Sequence, residues 1–187
     1  MPLLSRTQAW SIGAAVAAAL AWQLPVLAGQ HATTAEADIK AAFLFNFTKF
    51  VEWPARASSG AFQICTLADP AFDAVLARIL VGESTSGRAI VRATPETPDF
   101  AQGCHILFIG SGEGPHIDRW VAAVRGQPVL VVGESKAAED AGAQITFIIE
   151  DNRVRFDVNE DAASRAGLKV SSQLLRVARR VTPRTDQ

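Results

Sequence analysis

The sequence predicts an α/β fold: a three-layer sandwich with a mostly parallel sheet, helices on both faces and an antiparallel C-terminal hairpin at one edge. Three observations predict it. Short strand-like runs alternate with helical patterns along most of the chain, as βαβ units require. One run, Val129-Leu130-Val131-Val132, is wholly apolar, which suits a strand covered on both faces. Near the C-terminus the alternation stops. There Gln144–Glu150 and Arg153–Val158 flank Asp151-Asn152, a pair that favours a tight hairpin turn.

The composition sets the bounds. The 187 residues are 49% hydrophobic and 20% charged, enough to bury one core and unlike a disordered chain or a coiled coil. Net charge is −1, so no basic field exists to hold nucleic acid. Three histidines and two cysteines are too few for a multi-ligand zinc or iron–sulfur module.

Residues 1–28 read as a secretory signal. Arg6 precedes an apolar run from Ile12 to Trp22, Gln23 and Pro25 break it, and Val26-Leu27-Ala28 offers small residues at a cleavage site. The run is shorter than the roughly 20 apolar residues of a spanning helix, although an uncleaved anchor is the alternative. No cysteine follows the cut, which argues against a lipid anchor. Residues 29–35 form a polar, flexible lead, residues 36–182 a single domain, and residues 183–187 a tail. The expected location is therefore the periplasm, reached by a cleavable signal peptide.

Within the domain, Ile39, Phe43, Phe47 and Phe50 recur at helical spacing from Glu36 to Val51, and Trp53-Pro54 stops that helix. Strand 62–67 follows. Pro70 then opens a helix to Leu80 with Phe72, Val75, Leu76 and Leu80 on one side. Ala89–Ala93 reads as the next strand, Cys104–Ile109 as another, and His116 to about Val124 as a helix. Asn159 looks like an N-cap, and Ser171 or Ser172 opens a last helix with Leu174, Leu175 and Val177 inward. Its final turn is basic: Arg176, Arg179, Arg180 and Arg184 suit a helix C-terminus, with contact to an acidic partner or lipid surface as a further use.

Export changes how Cys65 and Cys104 are read. Both lie in strand-like runs, and neighbouring strands would bring their Cα atoms within about 4.4–6.8 Å, the bridging range. A disulfide closing that loop should stabilise by roughly 4 kcal/mol. The rival, a reactive thiol, lacks both a C-x-x-C motif and a positive cluster.

Candidate chemistry is sparse. Gly110-Ser111-Gly112-Glu113-Gly114 follows a strand and precedes a helix, so Gly110, Ser111, Gly112 and Gly114 could line a small ligand at the carboxyl edge of the sheet. The spacing is not a dinucleotide or P-loop fingerprint, and Glu113 would repel phosphate. His31, His105 and His116 lack metal-ligand spacing, and no G-x-S-x-G nucleophile occurs. Glu139-Asp140 and Glu150-Asp151 are expected in solvated turns. The inventory predicts no catalytic residues, no cofactor and no metal. An enzyme would require the fold to bring His105, Ser111 and an acid together. By contrast, the aromatic helix has more rings than one core stripe needs, which leaves Phe45 and Trp53 for a partner surface.

At this point the chain resembles a family. Lys40-Ala41-Ala42-Phe43-Leu44-Phe45-Asn46-Phe47-Thr48-Lys49-Phe50-Val51-Glu52-Trp53-Pro54 is similar to the opening motif of the YfiR-like (YfiR/HmsC-like) periplasmic proteins. Gly87-Arg88, Cys104 to Ile109, Asn152 to Phe156 and the close Ala166 to Leu175 match in order, covering about residues 36–180. The resemblance implies a repressor that binds the periplasmic sensor domain of an inner-membrane diguanylate cyclase, lowering cyclic-di-GMP and biofilm formation. It further implies sequestration by an OmpA-like outer-membrane lipoprotein, and a fold-stabilising disulfide at Cys65 and Cys104. The best-known member carries a second cysteine pair towards its C-terminal part, and this sequence has none. Candidate partner contacts are Phe45, Trp53 and Arg88, and a homodimer is left open. The alternative function is a periplasmic small-molecule binding module with its ligand near Gly110–Gly114.

Overall fold

The computed structural model describes residues 27–57 and 60–185. The expected signal segment thus lies almost wholly outside the described residues. In chain order the elements are α1 (Leu27–Phe50), β1 (Val51–Glu52), β2 (Phe62–Leu67), α2 (Pro70–Leu80), β3 (Ser84–Thr85), β4 (Arg88–Ala93), β5 (Ile106–Ile109) and α3 (Ile117–Ala123). The chain continues with β6 (Leu130–Gly133), α4 (Lys136–Ala141), β7 (Ile145–Glu150), β8 (Arg153–Asn159), α5 (Glu160–Arg165), β9 (Lys169–Val170), α6 (Ser172–Val177) and β10 (Arg180–Thr182). The described residues from Thr34 onward form one compact unit.

Eight strands make one sheet in the order β10-β8-β7-β6-β5-β2-β4-β3. The central strands β4, β2, β5, β6 and β7 run parallel. The hairpin β7–β8 is antiparallel, turned by Asp151 and Asn152, both at positive φ as a type I′ turn demands. The hairpin is not the outermost piece, because β10 adds a parallel strand beside β8.

Alternation along the buried strands builds two cores. Ile106 and Phe108 of β5, with Leu130 and Val132 of β6, face the core that α1, α2 and α6 cover. Leu107, Ile109, Val129 and Val131 face the other, under α3 and α4. The three-layer α/β prediction is therefore met. On α2, Pro70 starts the helix, Asp69 accepts hydrogen bonds from the N–H groups of Ala71 and Phe72, and Phe72, Leu76 and Leu80 point inward. Gly133 lets α4 approach β6, since a Cβ there would lie 2.2 Å from that of Ala138.

Several expectations need correction. Helix α1 buries Ala41, Leu44 and Phe47 completely, whereas Ile39 is 44% exposed and Phe43 and Phe50 only flank the core. The buried stripe is rotated by about one residue from the aromatic spacing, because the small Ala41 and the branched Leu44 fill the closest approach. The helix starts at Leu27, so the segment read as a polar lead lies within it. It ends at Phe50 rather than Trp53 because Val51 and Glu52 pair with Val170 and Lys169. Glu139 and Asp140 sit on α4, not in a turn. The last helix stops at Val177, which is exposed, so Arg179 and Arg180 lie beyond it.

Candidate functional site

In a doubly wound sheet, ligands collect outside the carboxyl ends of two strands whose connections run in opposite directions. Here β4 lies on one side of β2 and β5 on the other, so that crevice opens between β2 and β5. Its walls are Leu67-Ala68-Asp69 and Gly110-Ser111-Gly112, with Glu134 beyond β6, around a groove of about 400 Å3. The ligand loop expected at Gly110, Ser111, Gly112 and Gly114 therefore follows β5 at this edge.

An internal carboxylate already uses the loop's donor. Ser111 N–H donates to Glu134 Oε1 at 2.8 Å, and Glu134 Oε2 accepts from Lys40 Nζ at 2.5 Å. Lys40 also pairs with Glu36 one turn earlier on α1, at 2.5 Å. Burial opposes the Lys40 charge, but the hydrogen bonds to Glu134 and Glu36 outweigh it and raise its pKa above the ordinary lysine value. Asp69 faces the same groove while capping α2. Two carboxylates here leave no attraction for a phosphate.

The amino edge of the sheet is held by a different cluster. His105, just before β5, accepts the Gln63 N–H on Nδ1 at 3.1 Å, and its Nε2 lies 2.7 Å from the Ala57 carbonyl. The accepted bond assigns the proton to Nε2, so the ring is neutral and donates to Ala57. Burial lowers the His105 pKa and the nearby Arg88 guanidinium lowers it further, against the opposing bond to Ala57. Arg88 itself donates to the carbonyls of Ala57, Gly60 and Ala61 at 2.8–3.1 Å. Trp53 Nε1 donates to the His105 carbonyl at 3.1 Å, and its ring stands edge-on to Phe62 at 4.8 Å.

The three partner candidates therefore separate. Trp53 and Arg88 join in this one cluster, where both tie the chain after β1 to the sheet. Phe45 lies apart on α1, half-buried, with Lys49 Nζ 4.0 Å from its ring centroid. Cys65 and Cys104 form a disulfide with Cα atoms 5.8 Å apart, joining β2 to the residue before His105. His105 and Ser111 lie at opposite ends of β5, so they share no site with an acid. Among the described residues no group of three or more His, Cys, Asp or Glu could hold a metal.

Sequence reasoning missed three features. The Lys40–Glu134 bridge joins residues 94 apart, and only its Glu36–Lys40 half shows as an i, i+4 pair. Arg179 takes the buried Asp157 in a two-pronged pair at 2.8 and 2.6 Å, with Arg180 on the same carboxylate. Those arginines serve the sheet's C-terminal end rather than a helix terminus. Gln144, inside the core of β6 and β7, carried no sequence signal. Among the described residues no helix is long and apolar enough to cross a membrane.

Comparison with known proteins adds the family. A structure of a conserved domain protein from Vibrio cholerae O1 biovar El Tor str. N16961 is similar at a TM-score of 0.49 with 14% identity, over 64% of this chain and 54% of that one. This chain thus spans about half of that protein's length. The family model described as YfiR/HmsC-like matches residues 37–179, from the middle of α1 to the end of the sheet's Arg179 clamp. The chain belongs to this YfiR/HmsC-like family.

Proposed function

We propose that this protein is a periplasmic repressor: it binds the periplasmic sensor domain of an inner-membrane diguanylate cyclase and holds cyclic-di-GMP synthesis, and with it biofilm formation, low. The observation that carries this reading is the family match over residues 37–179, nearly the whole folded unit. The disulfide supports an oxidising compartment, and export by residues 1–28 as a cleavable signal belongs to the same proposal. A repressor needs a surface with different affinities for two receptor states, not a reacting group. Phe45 is the candidate contact; Trp53 and Arg88 act by fixing the chain between β1 and β2. An OmpA-like lipoprotein that sequesters the repressor, and a homodimer, complete the set of proposed partners. The small-molecule reading at Gly110–Gly114 is weakened by Glu134, which occupies the loop's donor.

Deleting the gene and measuring cellular cyclic-di-GMP tests the proposal. The level should rise, fall back on complementation with wild type, and fall back only partly with Phe45→Ala expressed at equal abundance. An unchanged level, with membrane cyclases expressed, would overturn the repressor reading. Full rescue by Phe45→Ala would remove Phe45 from the contact face.

A further inference from the structure

Two contacts lay the end of α2 and the turn after it along the outside of α1. At one end, Arg78 Nη2 of α2 donates to Asp38 Oδ1 at 2.5 Å. At the other, Thr85 Oγ1 of β3 donates to the Thr48 carbonyl at 3.0 Å. The stretch of α1 from Asp38 to Thr48 covers about 15 Å of helix axis. Val81, which caps α2, and the Gly82 turn at φ 73° lie between the two ties. At 3.6 residues per turn, Phe45 stands on the same flank of α1 as Asp38, so it faces that turn. There it packs on the core edge together with Val75 and Ile79 of α2.

Val81 is 79% exposed, more than any other large apolar side chain among the described residues. Ile39 is exposed one helical turn from Ala42, and Ala42 is half-buried between Ile39 and Phe45. An apolar strip therefore runs from Val81 across Phe45 and Ala42 to Ile39. Neither Val81 nor Ile39 belongs to a core cluster, so packing within the fold does not account for them. The rim of the strip is polar. Asp38 and Arg78 neutralise each other, whereas Lys49, set over the Phe45 ring, and Glu83, just beyond Val81, make no ion pair among the described residues.

We propose that this strip is the docking face for the cyclase: it takes an apolar segment of the periplasmic sensor domain that brings a carboxylate to Lys49. The proposal rests on the repressor reading and extends its single contact, Phe45, to a surface on two elements. Exposed apolar residues scattered singly need no explanation, but a contiguous strip rimmed by polar groups marks an interaction site. An apolar centre with a charged rim is also the anatomy of a non-obligate interface. Lys49 attracts a carboxylate at the Phe45 end, and Glu83 repels one at the Val81 end. The two rim charges thus fix the register of the incoming segment, while the apolar centre supplies the affinity.

The test uses a strain lacking the gene, complemented at equal periplasmic abundance. Wild type and Val177→Asp, a change at an exposed apolar residue ending α6, should restore low cyclic-di-GMP. Val81→Asp should leave the level close to that of the deletion strain, and Lys49→Glu should restore it only partly. Both variants should keep the wild-type melting temperature, because neither side chain belongs to a core cluster. p-Benzoylphenylalanine in place of Val81 should form a photo-adduct with a membrane diguanylate cyclase, and in place of Val177 it should not. Failure of wild type to lower cyclic-di-GMP would overturn the repressor reading, and the cyclase as occupant with it. Where wild type does lower it, full restoration by Val81→Asp, or an equal loss with Val177→Asp, would overturn the docking face alone. So would an adduct at Val81 with a second copy of this chain, or no adduct there.

Discussion

At the carboxyl edge of the sheet, the donor that an anion would seek, Ser111 N–H, is held by Glu134; at the amino edge, the Val131 N–H is held by the side-chain Oε1 of Gln144, whose –NH2 group stays open to solvent. Both edges place backbone or amide donors beside hydrophobic strands. What separates them is which internal acceptor reaches the donor first. Glu134, just past β6, turns back across the crevice and is neutralised by Lys40 from α1. Topology therefore says where a crevice forms, and the charge of one or two residues decides whether anything enters it.

The largest way to disturb the comparison is covalent. The disulfide ties β2 to Cys104, the residue before His105, and so anchors the cluster at the amino edge. Cys65→Ser or Cys104→Ser should lower unfolding stability by about 4 kcal/mol in the chain-entropy model. Urea unfolding of the purified variants measures this, and a loss below about 1 kcal/mol would show that the strands hold the edge without the bridge. Abundance in the periplasm should fall in parallel.

A smaller change sharpens the contrast between edges. Glu134→Ala should cost about 1.5–3 kcal/mol, the range for hydrogen bonds to a charged group, because Ser111 N–H and Lys40 lose their shared acceptor. The same variant should convert the carboxyl edge into an anion site. Sulfate should then raise its melting temperature more than that of wild type. Equal sulfate responses would mean that Asp69 alone keeps anions out of the groove.

The comparison also marks what sequence could reveal. Helix α2 was legible in full, since Asp69, Pro70 and the Phe72, Leu76, Leu80 stripe are all local signals. So was the β7–β8 hairpin, whose turn pair imposes its own geometry. Helix α4 was not: Ala138 is its only buried member, and a short helix without an apolar stripe reads like a charged turn. Strands β1, β3, β9 and β10 have two or three residues, too few to display a period of two. On α1 the aromatic spacing pointed to a neighbouring face, because ring size dominated the pattern while Ala41 and Leu44 made the closest contacts. The residues that mattered, Glu134 and Gln144, act through partners distant in sequence, Lys40 and Ser111 for the first and Val131 for the second. Neither feature has a local signature.

The smallest expected effect concerns protons at the amino edge. His105 is neutral in the fold, its pKa lowered by burial and by Arg88, so protonation is easier in the unfolded chain. For such a group the stabilising contribution is complete above the unfolded value of about 6.5. It erodes as pH falls from there toward the folded-state value, because the unfolded state then binds more protons. A protonated ring would also lose the acceptor for the Gln63 N–H and place a second positive charge beside Arg88. Acidification below about pH 6.5 should therefore speed amide exchange at Gln63 and around Gly60 and Ala61, whose carbonyls Arg88 holds, before the rest of the sheet responds. His105→Asn, which keeps an acceptor but does not titrate, should flatten that pH dependence while remaining less stable at pH 7.5. If exchange near Ser111 accelerates equally, protonation is loosening the whole molecule, and the two edges are not independent.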